Sequence, residues 1–125
     1  MKKLFSLLIM TIALFFGAIN VVEAAEARQV QALHILVPTE AKAIEIRQNI
    51  VAGETQSEVF QNFMKAAKMY STCPSGKSGG ILGWFGRGDM VKPFEEAAFN
   101  LPNGQVSEPV KTQFGYHLIY VISKK

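Results

Sequence analysis

The sequence contains a single cysteine, Cys73, among its 125 residues. No intrachain disulfide can form, so the stability of the fold has to come from its hydrophobic core. Short metal-ligand spacings such as Cys-x-x-Cys or His-x-x-x-His are also absent, and the sequence predicts neither a metal site nor a cofactor. Cys73 can therefore be a buried packing residue, a partner in an intermolecular disulfide bond, or a functional thiol.

The chain also lacks a long run of basic residues. Thirteen Lys and Arg face ten Asp and Glu, which gives a net charge of only +3. Binding of a phosphate backbone needs a clustered basic stripe, whereas these positive residues are interleaved with acidic ones. The charge pattern therefore argues against nucleic acid as a partner.

The length of the chain allows one domain.

Long apolar runs are absent except at the start of the chain. Lys2 and Lys3 precede an almost uninterrupted apolar stretch over residues 4–19, and Val22 and Ala24 suit a signal-peptidase site. Residues 1–24 are therefore predicted to be a signal peptide and residues 25–125 the mature domain. The alternative is an uncleaved membrane anchor, because the run is nearly long enough to span a bilayer. Both interpretations place the domain outside the cytoplasm, in the periplasm or secreted.

Hydrophobic periodicity predicts the first half of the domain. Residues 29–37 alternate as a strand with two largely apolar faces, which is typical of a central strand. Thr39 is predicted to cap a helix that closes at Gly53. Residues 55–58 read as a capping box that opens a second helix. The buried stripe expected on that helix consists of Val59, Phe60, Phe63, Ala66, Ala67 and Tyr70.

The second half of the domain is rich in turns. Residues 71–80 are predicted to be a glycine-rich loop, and residues 81–85 a short strand. Pro93 suits the start of a helix reaching about residue 99, with Phe94 directed inward. Residues 109–112 and 116–122 read as a strand pair with a hairpin-like connection. The order of elements predicts an α+β domain with helices packed on a small, mostly antiparallel sheet.

Two histidines, His34 and His117, lie in apolar strands. Either one alone is typical of a satisfied core residue. If the first and last strands are neighbours, the two rings can hydrogen-bond each other or share Thr112 in a buried polar network. A nucleophilic Cys/His pair is disfavoured, because the sequence offers no convincing Asp or Asn to orient the histidine and predicts no helix N-terminus directly after Cys73. A metal site built from Cys73 and the two histidines has no supporting ligand spacing.

Several ordered sequence blocks resemble one known family. The blocks read HILV from His34, YSTCPSGKSGG from Tyr70, LGWFGRGDMV from Leu82, PFEEAAF from Pro93 and VKTQFGYH from Val110. Together they resemble the parvulin family of peptidyl-prolyl cis/trans isomerases over residues 32–122. The resemblance implies an FKBP-like superfold, with a four-stranded, mostly antiparallel sheet wrapped by helices around a shallow cleft. It implies no cofactor and no metal.

The resemblance also assigns expected roles to individual residues. Leu82, Met90 and Phe94 would line the pocket for the proline ring, with Phe114 at its rim. His34, Thr112 and His117 would form the polar floor, and Cys73 would face the carbonyl group preceding proline. The expected partners are proline-containing segments of unfolded or partly folded exported proteins, bound by a monomer. The alternative function is a peptide-binding chaperone that uses the same cleft with little or no isomerase activity.

Three features depart from the family pattern. The segment between Gly53 and Phe63 runs longer than usual by roughly seven residues, which a surface loop or helix entrance can absorb. Asp89 replaces a common Gln at the rim of the expected cleft. Residues 38–42 lack the basic cluster that phosphate recognition requires, so phosphoprotein specificity is not expected.

Overall fold

The computed structural model describes residues 27–125, and the predicted signal peptide lies outside this range. Within the described residues, none of the helices combines the length and apolar character needed to cross a membrane. The elements in chain order are β1 (Gln29–Val37), α1 (Glu40–Val51), α2 (Gln56–Tyr70), a 3₁₀ helix (Pro74–Ser78), β2 (Ile81–Gly86), α3 (Lys92–Asn100), β3 (Val110–Thr112) and β4 (Gly115–Lys124).

The four strands form one sheet in the order β2-β1-β4-β3, and every neighbouring pair is antiparallel. One face of the central strand β1, carrying Leu33, Ile35 and Val37, packs against α1 and α2. The opposite face, carrying Val30 and Ala32, packs against α3. The predicted α+β fold, with helices on a small antiparallel sheet and β1 at its centre, is confirmed.

Both predicted helix caps are present, one of them in altered form. The Thr39 hydroxyl accepts a hydrogen bond from the Lys42 amide at 3.2 Å, and the Thr55 hydroxyl accepts one from the Glu58 amide at 3.1 Å. The Glu58 carboxylate, however, accepts from the Glu54 amide at 2.8 Å, one residue earlier than a capping box requires.

α1 ends at Val51 with Ala52 as its C-cap, so the chain leaves the helix at Gly53 as predicted. One detail of the helix predictions was wrong. Tyr70 was expected in the buried stripe of α2 but is 40% exposed, and its ring lies under the Lys42 ammonium at 4.6 Å. The buried side chains of α2 are Phe63, Ala66 and Ala67. The ends of the apolar stripe therefore stay partly in solvent.

The glycine-rich segment at residues 71–80 was predicted as a loop and contains a five-residue 3₁₀ helix. Cys73 precedes this helix, Pro74 occupies its first turn, and Gly79 ends it in the left-handed conformation at φ 78°. Gly80 follows at φ 88°, and its carbonyl accepts the backbone N–H of His34 at 2.9 Å. A Cβ atom on Gly80 would collide with the carbonyl oxygen of His34. The segment is therefore pressed directly against the central strand.

Substituting Gly80 by alanine is expected to lower the free energy of unfolding by about 3 kcal/mol or more. About 1 to 2 kcal/mol of this comes from the left-handed backbone, and the rest from the collision with β1. Urea titration monitored by circular dichroism measures the loss. Gly88→Ala is the matched control, because Gly88 has φ 92° and open space around a Cβ atom. Equal losses of unfolding free energy in Gly80→Ala and Gly88→Ala would refute the close packing inferred for Gly80.

Candidate active site

The register of β1 and β4 brings the two histidines together. His117 pairs with Leu36, and His34 pairs with Ile119, so both imidazoles project from the same face of the sheet on adjacent strands. Their Nδ1 atoms lie 3.1 Å apart. The Nε2 atom of His117 lies 2.8 Å from the Thr112 hydroxyl on β3. The hydrogen-bonded network predicted for these three residues is present in the structure.

A fourth polar group, Ser75, was missed by the sequence prediction. Its hydroxyl lies 3.0 Å from His34 Nε2 and extends the network into the 3₁₀ helix. Within residues 27–125, every buried side-chain nitrogen and oxygen has a hydrogen-bond partner. Ser75 stands in a glycine-rich segment without periodicity, so no pattern in the sequence connects it to a strand more than 40 positions earlier. Only the folded geometry reveals this contact.

The histidine pair is shielded from water by an aromatic side chain. The ring of Phe94, which is 2% exposed, lies nearly perpendicular to the His34 ring at 5.6 Å and to the His117 ring at 5.1 Å between centroids. Burial lowers the pKa of both histidines from 6.5 to about 4, and the neighbouring His117 contributes further to the lowered pKa of His34. Both rings are therefore neutral at physiological pH.

An open cavity of about 560 Å³ ends on this histidine pair. Its lining is mostly apolar and includes seven of the eight predicted site residues: His34, Cys73, Leu82, Met90, Phe94, Phe114 and His117. Phe114 is 61% exposed and stands at the rim. Thr112 is the exception, because it is buried behind His117 and reaches the cavity only through that ring.

The cavity wall includes further residues to which sequence reasoning gave no site role. They are Leu36, Thr72, Pro74, Asp89 and Val91. Asp89 had been noted only as a negative charge at the rim, and its carboxylate accepts the backbone N–H of Gly86 at 2.8 Å. With both histidines neutral, Asp89 is the one formal charge among the described residues that line this cavity.

Metal binding was considered for Cys73 with the two histidines. Among residues 27–125, no three His, Cys, Asp or Glu side chains are grouped so as to hold a metal ion. The cavity thus combines a mostly apolar wall with neutral hydrogen-bonding groups and the Asp89 carboxylate.

Comparison with known proteins agrees with this geometry. Residues 29–123 match the rotamase family described as the PPIC-type PPIase domain. The foldase protein PrsA of a Geobacillus strain is 50% identical over 98 residues, covering 78% of this chain and 33% of the relative. A putative peptidyl-prolyl cis-trans isomerase of Campylobacter jejuni, Cbf2, is 50% identical over 93 residues, covering 73% of this chain and 34% of the relative.

Solved structures show the same similarity. A Campylobacter jejuni structure, described as one of two SurA-like chaperones, superposes with a TM-score of 0.75 at 43% identity, covering 80% of this chain and 40% of the other. NmPin, the parvulin of Nitrosopumilus maritimus, superposes with a TM-score of 0.65 at 42% identity, covering 78% of this chain and 98% of the other.

The chain spans about a third of the length of the curated relatives it matches. The similarity is thus to about a third of those longer proteins, whereas the Nitrosopumilus maritimus parvulin is matched over nearly its whole length. Since the family match covers residues 29–123, it includes both core clusters, the cavity and the histidine network. The chain therefore belongs to the parvulin family of PPIC-type peptidyl-prolyl cis/trans isomerase domains.

Proposed function

We propose that this chain accelerates cis/trans rotation about X-Pro peptide bonds, with the cavity described above as its active site. The observation that carries the proposal is an apolar cavity of about 560 Å³ that ends on a buried, neutral histidine pair. Uncatalysed rotation faces a barrier of roughly 18 to 20 kcal/mol, which arises from amide resonance. Rotation breaks no covalent bond, so the reaction requires neither a cofactor nor a strong nucleophile.

The apolar part of the cavity is assigned to the proline ring. Leu82, Met90 and Phe94 would hold the ring, and the exposed Phe114 would cover it at the rim. Transfer of the amide into this apolar environment removes the water that stabilises its charge-separated resonance form. The planar ground state loses part of its resonance stabilisation, and the barrier to twisting falls.

The polar part of the cavity is assigned to the rotating carbonyl group. His34, His117 and Thr112 supply fixed dipoles whose positions are set by their mutual hydrogen bonds, and Cys73 would face the carbonyl preceding proline. Dipoles arranged around the twisted amide stabilise it more than either planar isomer, which is the requirement for catalysis. A covalent adduct with Cys73 is unnecessary, because the reaction proceeds by rotation alone.

The proposed substrates are proline-containing segments of unfolded or partly folded exported proteins. Sequence and charge support this class over phosphoproteins, since Asp89 is the charged residue at the cavity wall and a phosphate would be repelled there. We place the protein outside the cytoplasm, with residues 1–24 as its export signal, and expect it to act as a monomer. A PrsA foldase and a Campylobacter jejuni protein described as a SurA-like chaperone contain a related domain.

A second candidate function is peptide binding without useful catalysis. The relation to a structure described as a SurA-like chaperone favours it, as does a cleft open enough to hold an extended chain. In this case the cavity would bind prolyl segments and suppress aggregation, while the rate of isomerisation would stay near that of the free peptide.

The test is cis/trans exchange of an Ala-Pro peptide, measured by NMR exchange spectroscopy with the full chain. We expect clear acceleration by the wild-type protein and a drop of about tenfold in kcat/KM for Met90→Ala, corresponding to about 1.4 kcal/mol of lost contact in the transition state. Met69→Ala is the matched control. Met69 is 70% exposed on α2 and does not line the cavity, so its substitution should leave the rate unchanged.

The two candidate functions give different results in this assay. Folded protein that fails to accelerate exchange for several residues before proline would contradict the isomerase proposal. If the same protein still suppresses aggregation of an unfolded client, and Met90→Ala weakens that effect, the cavity is a chaperone site.

A further inference from the structure

The turn that joins β2 to α3 supplies part of the cavity wall. It spans residues 87–91, and its last three residues, Asp89, Met90 and Val91, line the cavity. Met90 and Val91 also pack against the core cluster that contains Phe94. The placement of this turn relative to α3 therefore sets the distance between Met90 and Phe94, two residues assigned above to the proline ring.

The outer end of this turn is exposed to solvent. Arg87, Gly88 and Asp89 are all exposed, and a Cβ atom on Gly88 would meet open space. The Asp89 carboxylate accepts the Gly86 N–H at 2.8 Å, and the Asp89 N–H donates to the Gly86 carbonyl at 3.3 Å. These two bonds fold the turn onto the end of β2, but they make no connection to α3.

The side chain of Glu95 connects the turn to α3. Its Oε1 atom accepts the backbone N–H of Gly88 at 2.6 Å, and its Oε2 atom lies 3.6 Å from the Arg87 guanidinium and 4.0 Å from the Lys92 ammonium. Glu95 is charged and yet only 5% exposed. A buried carboxylate loses its hydration, and the hydrogen bond and the two cationic groups offset that loss. The carboxylate is thus fixed between the helix and the turn.

Arg87 makes a second contact between the turn and α3. Its guanidinium lies over the ring of Phe99, 4.2 Å from the centroid. This contact involves the end of a long, half-exposed side chain, whereas Glu95 binds the backbone of the turn directly. The hydrogen bond to Gly88 is therefore the contact that restrains the backbone next to Asp89 and Met90.

Glu95 directly follows Phe94 on α3. Successive residues of an α-helix point about 100° apart around its axis. Phe94 can therefore line the cavity while Glu95 faces the turn. One helix thus carries one wall of the pocket and fixes the segment that carries another.

We propose that Glu95 is a positioning residue: by accepting the Gly88 N–H, it holds the turn against α3 and keeps Met90 beside Phe94 in the pocket for the proline ring. Glu95 does not line the cavity, so it acts on the substrate only through the turn. The effect on substrate rests on the proposed isomerase function, whereas the hold on the turn does not depend on it.

Release of the turn should weaken binding of the proline ring and leave the histidine pair unchanged. The contact between Met90 and the ring is made both before and during rotation, so its loss raises KM and leaves kcat nearly constant. A purely structural role of Glu95 would act differently. Loss of folded protein lowers the apparent kcat and leaves KM unchanged.

The experiment compares Glu95→Met with Glu95→Gln and Glu96→Met in the full chain. Methionine is close to glutamate in size but accepts hydrogen bonds only weakly, whereas glutamine keeps an acceptor for the Gly88 N–H. Glu96→Met is the matched control, because Glu96 is the next residue of the same helix and is exposed. Hydrogen exchange of the Gly88 amide, followed by NMR, reports the hold on the turn. KM and kcat for an Ala-Pro peptide report its effect on the site.

We expect the wild-type Gly88 amide to be protected from exchange although the residue is exposed. In Glu95→Met its exchange should become about tenfold faster. KM should rise about fivefold, with kcat within about twofold of wild type. Glu95→Gln and Glu96→Met should both stay close to wild type in KM.

Several results would overturn the role of Glu95. They are a wild-type Gly88 amide that exchanges as fast as in an unstructured chain, a folded Glu95→Met with unchanged KM, and a KM in Glu95→Gln as high as in Glu95→Met. If Glu95→Met does not fold, Glu95→Asp replaces it, since the shorter side chain keeps the charge but falls short of the Gly88 N–H, and the same rise in KM is expected.

Failure of the proposed function would look different. Wild-type protein without isomerase activity, whose Gly88 amide is protected and loses that protection in Glu95→Met, would refute the isomerase proposal and support the hold of Glu95 on the turn.

Discussion

Replacing Phe94 by alanine is expected to lower kcat/KM for an X-Pro peptide by about 100-fold or more, equivalent to about 2.7 kcal/mol of transition-state stabilisation. Phe94 lines the cavity, and its ring packs nearly perpendicular to both histidine rings. Its removal would take away the wall that we assign to the proline ring and admit water to the histidine pair. Peptide exchange rates measured at several substrate concentrations would report the loss.

The alanine variant also leaves a hole in the core, since Phe94 packs on Phe85 and large-to-small changes at such sites cost roughly 3 to 5 kcal/mol. A milder matched pair separates catalysis from stability. Phe94→Leu should reduce kcat/KM about tenfold. Phe99→Leu changes an equally buried phenylalanine of the same helix that packs on Phe85 and does not line the cavity, so activity should persist. Equal activity losses in the two folded leucine variants would contradict the assignment of Phe94 to the site.

The prediction of β1 succeeded because a central strand has a regular hydrophobic pattern in the sequence. Each of its residues faces one of two apolar layers, so alternation over residues 29–37 reports both faces at once. The contact between His34 and His117 was predictable for the same reason, once β1 and β4 are neighbours. A polar side chain in an apolar layer needs a hydrogen-bond partner. When the neighbouring strand carries a second polar side chain on the same face, the two are each other's nearest candidates.

The parts that the sequence did not reveal are those decided by packing of irregular backbone. Ser75 meets His34 because Gly76 and Gly80 let the 3₁₀ segment lie flat on α2 and β1, and glycine content alone does not indicate which side chain then points inward. Tyr70 was misplaced because helical periodicity gives the direction of a side chain but not how far the sheet extends beneath it. The position of Val91 at the cavity wall likewise depends on the turn that joins β2 to α3.

The active-site residues of this domain are also residues of its core. His34 and His117 are 6% and 5% exposed, and they lie on the sheet face that packs against α3. The polar site is tolerated there because each member of the network has a partner. Any change in protonation of the pair should therefore affect the stability of the whole domain as well as its activity.

The free energy of unfolding is accordingly expected to fall by about 4 kcal/mol between pH 7 and pH 5. Burial holds the pKa of both histidines at about 4 in the folded protein, whereas the unfolded chain takes up protons near the usual value of 6.5. The unfolded state thus binds more protons at intermediate pH. The contribution of the pair to stability is fully present above pH 6.5 and is lost progressively as the pH falls toward 4.

Urea titrations at pH 7, 6 and 5 measure this loss, and two controls connect it to the histidine pair. A double variant, His34→Gln with His117→Gln, carries no imidazole and should show a much flatter profile over the same range, whatever its absolute stability. NMR titration of the folded wild-type protein should leave both rings neutral down to pH 5. Parallel stability profiles for the two proteins, or rings that titrate near pH 6.5 in the folded state, would show that the pair is not held neutral by burial.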